Sequence, residues 1–466
     1  MTNSALSRKL ALRLESMRTA GLHRNPPRID ARHGAHIVIN GISHVNFGSN
    51  DYLGLGTCAQ WQRTVQDCFA AHAPSASSSR LVTGHLAETE LLESSFAARF
   101  GYDECLFFPS GYQANMAVIT GLLTDADAIF FDKRIHASMA HALSALGTAE
   151  GGPNLCGYAH GDLAQLQRKL RRHLDGENAR LLRDTALNAH GAAGSQGCLA
   201  TSGRQSTPAP AYHAAVAVLT ESLFSMDGYA LNLPALHAAA PNAFTIVDEA
   251  HAVGALGPGG LGLASHRAVQ LNELANGLGR GQHKGQHKWP SKGQGKELGK
   301  GSRKGADIVV GTLGKALGLF GAFVLMPRGF KEFLTNFAAP VIYSTAMPPA
   351  FAACALAAVD RIATMDAERA RLARLGALLS TLLADYPCPV HGNAHIIAIE
   401  VGEETRATRM AAALRRQGML VFAARHPTVP AGQAILRISL TAAHTEDDIM
   451  RLATALHTLT GELSAS

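Results

Sequence analysis

Apolar positions change rhythm several times along the chain, and those changes divide it. Near the start Leu6, Leu10, Leu14 and Met17 recur at helical spacing among Arg and Glu, predicting an amphipathic helix over residues 4–20. Pro26 and Pro27 stop it, because neither donates a backbone hydrogen bond. His36–Asn40 and His44–Phe47 then read as two short strands around Asn40-Gly41, a dipeptide suited to a type I′ hairpin. From Asn50 to about Pro340, short apolar runs alternate with helical ones. The runs are Glu104–Phe108, Ala128–Phe131, Ala214–Thr220, Phe244–Val247, Ile308–Val310 and Ala322–Met326. They lack polar alternation, as strands buried on both faces should. Helical stretches such as Glu88–Phe100 and Gln113–Leu123 lie between them. The pattern predicts an α/β fold, a mostly parallel sheet covered by helices.

Beyond Pro349 an Ala/Leu/Arg-rich stretch predicts one long helix to about Ala384. Strands at His395–Glu400, Met419–Phe422 and Ile435–Ser439, then a helix over Thr445–Leu459, predict a smaller C-terminal α+β domain. The expected division is a helix-and-hairpin arm over 1–49, a large domain over 50–340 and a small one over 341–466.

Two segments break the pattern and read as flexible surface insertions. Residues 175–211 are rich in Ala, Gly, Ser and Arg and carry no hydrophobic period. Residues 268–305 hold Lys284, Lys288, Lys292, Lys296, Lys300 and Lys304 at four-residue intervals, but their many glycines and Pro290 oppose a helix. Charge changes the picture only there. Arg280–Lys304 carries six Lys and two Arg against one Glu, a net +7, so the overall +6 leaves about −1 for everything else. The basic character is local. A polyanion-binding role through this segment is therefore the reading from a different class, and a solvated insertion the simpler one.

Hydrophobic residues make up 47% of the 466, enough for a sizeable core. The seven cysteines show neither C-x-x-C pairs nor metal-ligand spacing, which suggests a reducing compartment and no metal site. Arg8, Lys9 and Arg13 interrupt the leucines of a would-be signal peptide, and no apolar run approaches a bilayer's thickness. A cytoplasmic protein without a membrane partner is expected.

Three stretches carry chemistry. Phe244-Thr-Ile-Val-Asp248-Glu-Ala-His251 delivers an acid at a strand's C-terminal end, where open α/β sheets bind ligands. Asp307-Ile-Val-Val-Gly-Thr312-Leu-Gly-Lys315 ends a second buried strand on one lysine among small residues, a costly placement unless the amine is paired or covalently engaged. Phe108-Pro-Ser110-Gly111-Tyr112-Gln-Ala-Asn115 runs from a strand into a helix N-terminus, whose free N–H groups suit a phosphate. Alone, Asp248 reads as well as an N-cap, Lys315 as a solvated loop lysine and Ser110-Gly111 as a tight turn; His136 and His251 read as core histidines. Together and in this order they favour chemistry over architecture.

These motifs resemble those of the α-oxoamine synthases, fold-type I enzymes that use pyridoxal phosphate. The similarity extends through Asn46-Phe-Gly-Ser-Asn50-Asp-Tyr-Leu-Gly, Ser79-Arg80-Leu-Val-Thr-Gly, His136-Ala-Ser, Glu221-Ser-Leu-Phe-Ser225-Met-Asp-Gly, Tyr343-Ser-Thr345-Ala-Met-Pro-Pro, Pro427-Thr428-Val-Pro and Leu436-Arg437-Ile-Ser, nearly the whole chain. The resemblance implies that Lys315 holds the cofactor covalently and later acts as base. It implies that Asp248 pairs with the pyridine nitrogen, that His136 stacks on the ring, and that Ser225 and His251 contact its phenolic oxygen. Gly111, Tyr112 and Thr312 would hold the phosphate, with Thr345 reaching it from a second subunit of a homodimer. Asn50 and Arg437 would orient the amino acid's carboxylate, and Thr428 would contact substrate or product. Arg24 would meet the acyl chain's distal carboxylate.

The implied reaction condenses an amino acid with an acyl thioester, on coenzyme A or an acyl carrier protein, with loss of carbon dioxide. The alanine-using, pimeloyl-condensing branch matches best; glycine-using and serine-using branches share the scaffold. Nucleic acid is not an expected partner. Both insertions depart from the family pattern.

Overall fold

The computed structural model describes residues 4–148, 151–176, 214–271 and 305–464. Most of both predicted insertions, with the whole lysine repeat, lies outside them.

The arm supplies β1 (Ala31–His33), β2 (His36–Ile39) and β3 (Ile42–Asn46), after a helix over Ala5–Thr19. Asn40 and Gly41 take φ of 52° and 76°, the left-handed pair that a type I′ turn requires. The helix forms where its period predicts, but none of its residues is buried; Leu6 and Leu10 are 66% and 53% exposed.

The central sheet takes β4 (Glu104–Phe108), β5 (Ala128–Asp132), β6 (Asn154–Tyr158), β7 (Val216–Glu221), β8 (Phe244–Asp248), β9 (Ile308–Thr312) and β10 (Ala322–Met326). Their order is β4-β10-β9-β8-β7-β5-β6, and β10 alone runs antiparallel to the rest. Both faces are covered. Leu106, Ile129, Ile246 and Val310 pack against helices Gly111–Leu122 and Ala137–Gly147, while on the other face Cys105 and Phe323 pack with helices Ala87–Phe100 and Pro349–Ala363 and Phe130 meets His173. Phe323 sits at the heart of the second layer, its ring 5.1 Å from Phe96 and 5.3 Å from Phe100. Gly311 on the neighbouring strand is what admits it: a Cβ there would lie 2.2 Å from the Phe323 ring.

The C-terminal part holds β11 (Val390–His391), β12 (Ile396–Gly402), β13 (Met419–Leu420), β14 (Phe422–Ala424) and β15 (Ala434–Ser439). Four of them make an antiparallel sheet, β11-β12-β15-β14. The fifth, β13, leaves it and pairs in parallel with Val45 and Asn46 of β3.

Several predicted elements need correction. The run Met419–Phe422 is two strands in two sheets, changing partner at buried Val421, which a local pattern cannot register. The long helix after Pro349 is two, Pro349–Ala363 and Asp366–Leu382; at the end of the first the Ile362 carbonyl accepts from Met365 N at 3.2 Å and from Arg369 of the second at 2.7 Å. The edge strand β6 was not predicted, because Asn154-Leu-Cys-Gly-Tyr is half exposed and carries no apolar run. Among the described residues no helix is long and apolar enough to cross a membrane.

Candidate active site

The predicted chemistry converges because the parallel strands end on one edge of the sheet. There β7 ends at Glu221, β8 at Asp248 and β9 at Thr312, with Glu221 directly opposite Asp248 in the ladder. From β4 the chain turns through Ser110, whose hydroxyl accepts from Gln113 N at 3.3 Å and caps helix Gly111–Leu122. The N–H groups of Gly111 and Tyr112 have no acceptor within that helix. A Cβ on Gly111 would meet nothing within 4 Å, so this helix end is open to an anion.

Lys315 Nζ lies 2.7 Å from His251 Nε2, and His251 Nδ1 lies 2.6 Å from the hydroxyl of fully buried Tyr52. That hydroxyl donates to Asn50 Oδ1 at 3.1 Å, and Arg437 Nη2 donates to the same oxygen at 3.1 Å. The hydroxyl carries one proton. With Asn50 taking it, His251 Nδ1–H donates to the Tyr52 oxygen and leaves Nε2 to accept from the lysine. Burial and the Lys315 charge push His251 well below its ordinary range, so this ring is neutral. Burial brings Lys315 down to about 8, against the pull of Asp248 and Glu221, and puts a free amine within reach near neutral pH.

A second chain of contacts fixes the acid. Asn115 Nδ2 donates to Asp248 Oδ2 at 2.7 Å and to Ser138 Oγ at 2.9 Å, and Ser138 Oγ lies 2.7 Å from His136 Nδ1. Asp248 Oδ1 accepts from Ala250 N at 2.8 Å. Asp248 is thereby aimed and His136 tied to it. Burial, with Asp248 opposite, holds Glu221 well above the carboxylate range, and its Oε1 has no hydrogen-bond partner.

Two cavities flank these groups. One of about 620 Å³ is bordered by Lys315, Gly314, Asn50 and Phe422. The other, about 650 Å³, is bordered by His136, Ser225, Arg24 and Thr428, and Arg24 Nη2 donates to Thr428 Oγ1 at 3.4 Å. Thr312 spends its hydroxyl on the lysine loop, donating to Gly321 O at 3.0 Å and accepting from Gly314 N at 3.2 Å. Thr345 borders neither large cavity; it bridges to Ser79 beside a small hollow lined by Arg80. Asn115, Tyr52 and Glu221 were overlooked as individual residues, although each lies inside a quoted motif. No pattern along the chain says that those polar groups are buried.

The donor set suits a phosphorylated pyridine aldehyde: one buried amine, one aimed carboxylate, an imidazole beside it and an open helix N-terminus. The profile of the family "Aminotransferase class I and II" matches residues 42–456. The 8-amino-7-oxononanoate synthase of Stutzerimonas stutzeri is 32% identical over 456 residues, spanning 96% of this chain and 95% of that protein. That of Halorhodospira halophila is 34% identical over 459 residues, spanning 97% and 94%. Among solved structures, a Sphingomonas wittichii serine palmitoyltransferase superposes with a TM-score of 0.74 at 21% identity, covering 100% of both chains. The 8-amino-7-oxononanoate synthase of Francisella tularensis gives 0.64 at 26% identity, covering 91% of this chain and 98% of that one. The chain therefore belongs to the class I and II aminotransferases and, within them, to the α-oxoamine synthases, acyl-transferring enzymes of fold type I that depend on pyridoxal phosphate.

Proposed function

We propose that the chain joins L-alanine to a pimeloyl thioester, giving 8-amino-7-oxononanoate, carbon dioxide and the free thiol carrier, a step of biotin synthesis. The observation that carries this reading is the end-to-end likeness to proteins named 8-amino-7-oxononanoate synthase, at 32% and 34% identity. Bound at this site, pyridoxal phosphate supplies an electron sink for the negative charge that develops at the amino acid's α-carbon. Lys315 Nζ anchors it and then takes the α-proton, a task that its lowered basicity and the neighbouring His251 suit. Asp248 would hold the pyridine nitrogen in its protonated form, His136 would support the ring, and Ser225 and His251 would serve its phenolic oxygen. The N–H groups of Gly111 and Tyr112 would receive the phosphate, and Thr312 would join them by turning its hydroxyl away from Gly321 O. Arg437, buried and steadied by Asn50, holds the alanine carboxylate. Arg24 and Thr428 border the cavity for the acyl chain.

The test is turnover of pimeloyl thioester, on coenzyme A and on a carrier protein, with L-alanine, glycine or L-serine. Alanine is expected to be preferred; exclusive use of glycine would reject the substrate assignment while leaving the family intact.

A further inference from the structure

One charged cluster has no part in the roles above, although two of its members, Arg134 and Asp227, border the cavity of Arg24 and Thr428. His160 follows β6 by two residues, and its Nδ1 lies 3.0 Å from Asp132 Oδ1 at the end of β5. Its Nε2 stands 3.0 Å from Asp227 Oδ2, an ion pair rather than an aligned hydrogen bond. Arg134 Nη1 reaches the same Asp227 oxygen at 2.9 Å. Asp132 and Asp227 are both buried, so two carboxylates are matched by two cations, Arg134 reaching in from a side chain that is 39% exposed. The rings of Phe224 and Tyr229 close edge-on against the imidazole, at 4.5 Å and 5.0 Å.

The groups in this cluster belong to two loops that the site needs. Asp132 Oδ1 also accepts from Arg134 N at 2.8 Å, shaping the loop that runs on to His136. Asp227 Oδ1 accepts from Tyr229 N at 3.1 Å, inside the turn that carries Ser225. The Ser225 carbonyl in turn accepts from Arg437 Nε. Gly228 lets the turn press on the small sheet: its φ is +68°, and a Cβ there would lie 2.2 Å from Ile396 O. The turn is therefore wedged on one side and held on the other by the charges of His160 and Arg134, with the rings of Phe224 and Tyr229 packed beside them.

We propose that His160 is a positioning residue: as an imidazolium between Asp132 and Asp227, it clamps the loop of His136 to the Ser225–Asp227 turn and so seats Arg437 for the amino-acid carboxylate. This rests on the site roles proposed above. Burial disfavours the charged ring, yet the two carboxylates outweigh it and raise His160 to about 9, in keeping with the geometry. Without the imidazolium, Asp132 and Asp227 would face each other across Arg134 with one unpaired negative charge, and the turn would move off Arg437.

The experiment is a mutant cycle on the holoenzyme with His160→Gln, Asp227→Asn and the double variant. It reads alanine affinity from the visible absorbance of the bound cofactor, and alanine KM and kcat from turnover. Alanine affinity needs no acyl thioester, so a wrong acyl substrate leaves this test untouched. H160Q is expected to weaken alanine binding about tenfold or more, the scale of an unpaired buried charge, with a rise in KM larger than the fall in kcat. D227N removes the unmatched charge, so the double variant should recover most of that loss. Losses that simply add, or an H160Q enzyme that binds alanine like the parent, would overturn the clamp. If H160Q does not fold, D227N alone decides: it should raise alanine KM severalfold, and unchanged binding rejects the proposal.

Discussion

The amine of Lys315 sits where burial disfavours its charge and brings it to about 8, while Asp248 and Glu221 oppose the shift. Only the uncharged amine attacks an aldehyde. Uptake of pyridoxal phosphate by the cofactor-free protein should therefore quicken about tenfold per pH unit below about 8 and level off above it. Growth of the visible absorbance after mixing measures this, and a flat profile between pH 6 and pH 9 would contradict it. Lys315→Ala should fold, show no cofactor fixed by borohydride, and lose at least about 10²–10⁴-fold in turnover from the missing base alone. At this scale Lys315, Asp248, His136 and Arg437 were legible, because motifs several residues long surround them. Their partners were not. Tyr52 meets His251 from 199 positions away, and Asn115 meets Asp248 from 133. Such contacts depend on the sheet order, which no local spacing encodes.

Secondary-structure elements were legible to the degree that burial is uniform along them. The runs at β4, β8, β9 and β10 are apolar or small between their ends, because helices cover both faces. Their packing is correspondingly intolerant. Phe323→Ala should cost about 3–5 kcal/mol, as for a large aromatic removed from a close-packed layer. Urea denaturation of the purified variant checks it; a loss below about 1 kcal/mol would mean that the layer collapses into the gap. The edge strand β6 was missed for the complementary reason, since a half-exposed strand leaves no apolar run. The break between helices Pro349–Ala363 and Asp366–Leu382 was hidden in the same way: Thr364 and Met365 are not helix breakers, and only the packing of Arg369 across the joint marks it.

For the whole molecule, the two proposed catalytic partners Asp248 and Lys315 flank the basic segment in sequence but not in mechanics. Strands β8 and β9 pair directly, Ile246 with Ile308 and Val247 with Val309. Past the segment the chain returns at once, Ala306 N donating to Ala264 O at 2.8 Å. Replacing residues 276–300 by a short Gly/Ser linker should leave condensation within about twofold and abolish any retention on DNA. A large loss of turnover would show that the segment supports the site. We infer in addition a homodimer, supported by Val82 and Tyr343, 75% and 82% exposed on either side of the bridge between Ser79 and Thr345. Size-exclusion with light scattering should give twice the chain mass, and Thr345→Ala should weaken cofactor binding; a monomer with full activity rejects the shared site.

Taken by itself, the amino-acid sequence determined the local and the chemical: which runs are strands, which lysine and acid end them, and which family they resemble. Burial on both faces and functional motifs are written over neighbouring residues, so a linear reading reaches them. Tertiary structure alone decided that Met419–Leu420 joins the arm's sheet, that Tyr52 and Asn115 brace the proposed catalytic pair, and that His160 balances two buried carboxylates. Each of these joins groups far apart in the chain whose energies depend on shared burial. That energy does not exist until the sheet has assembled.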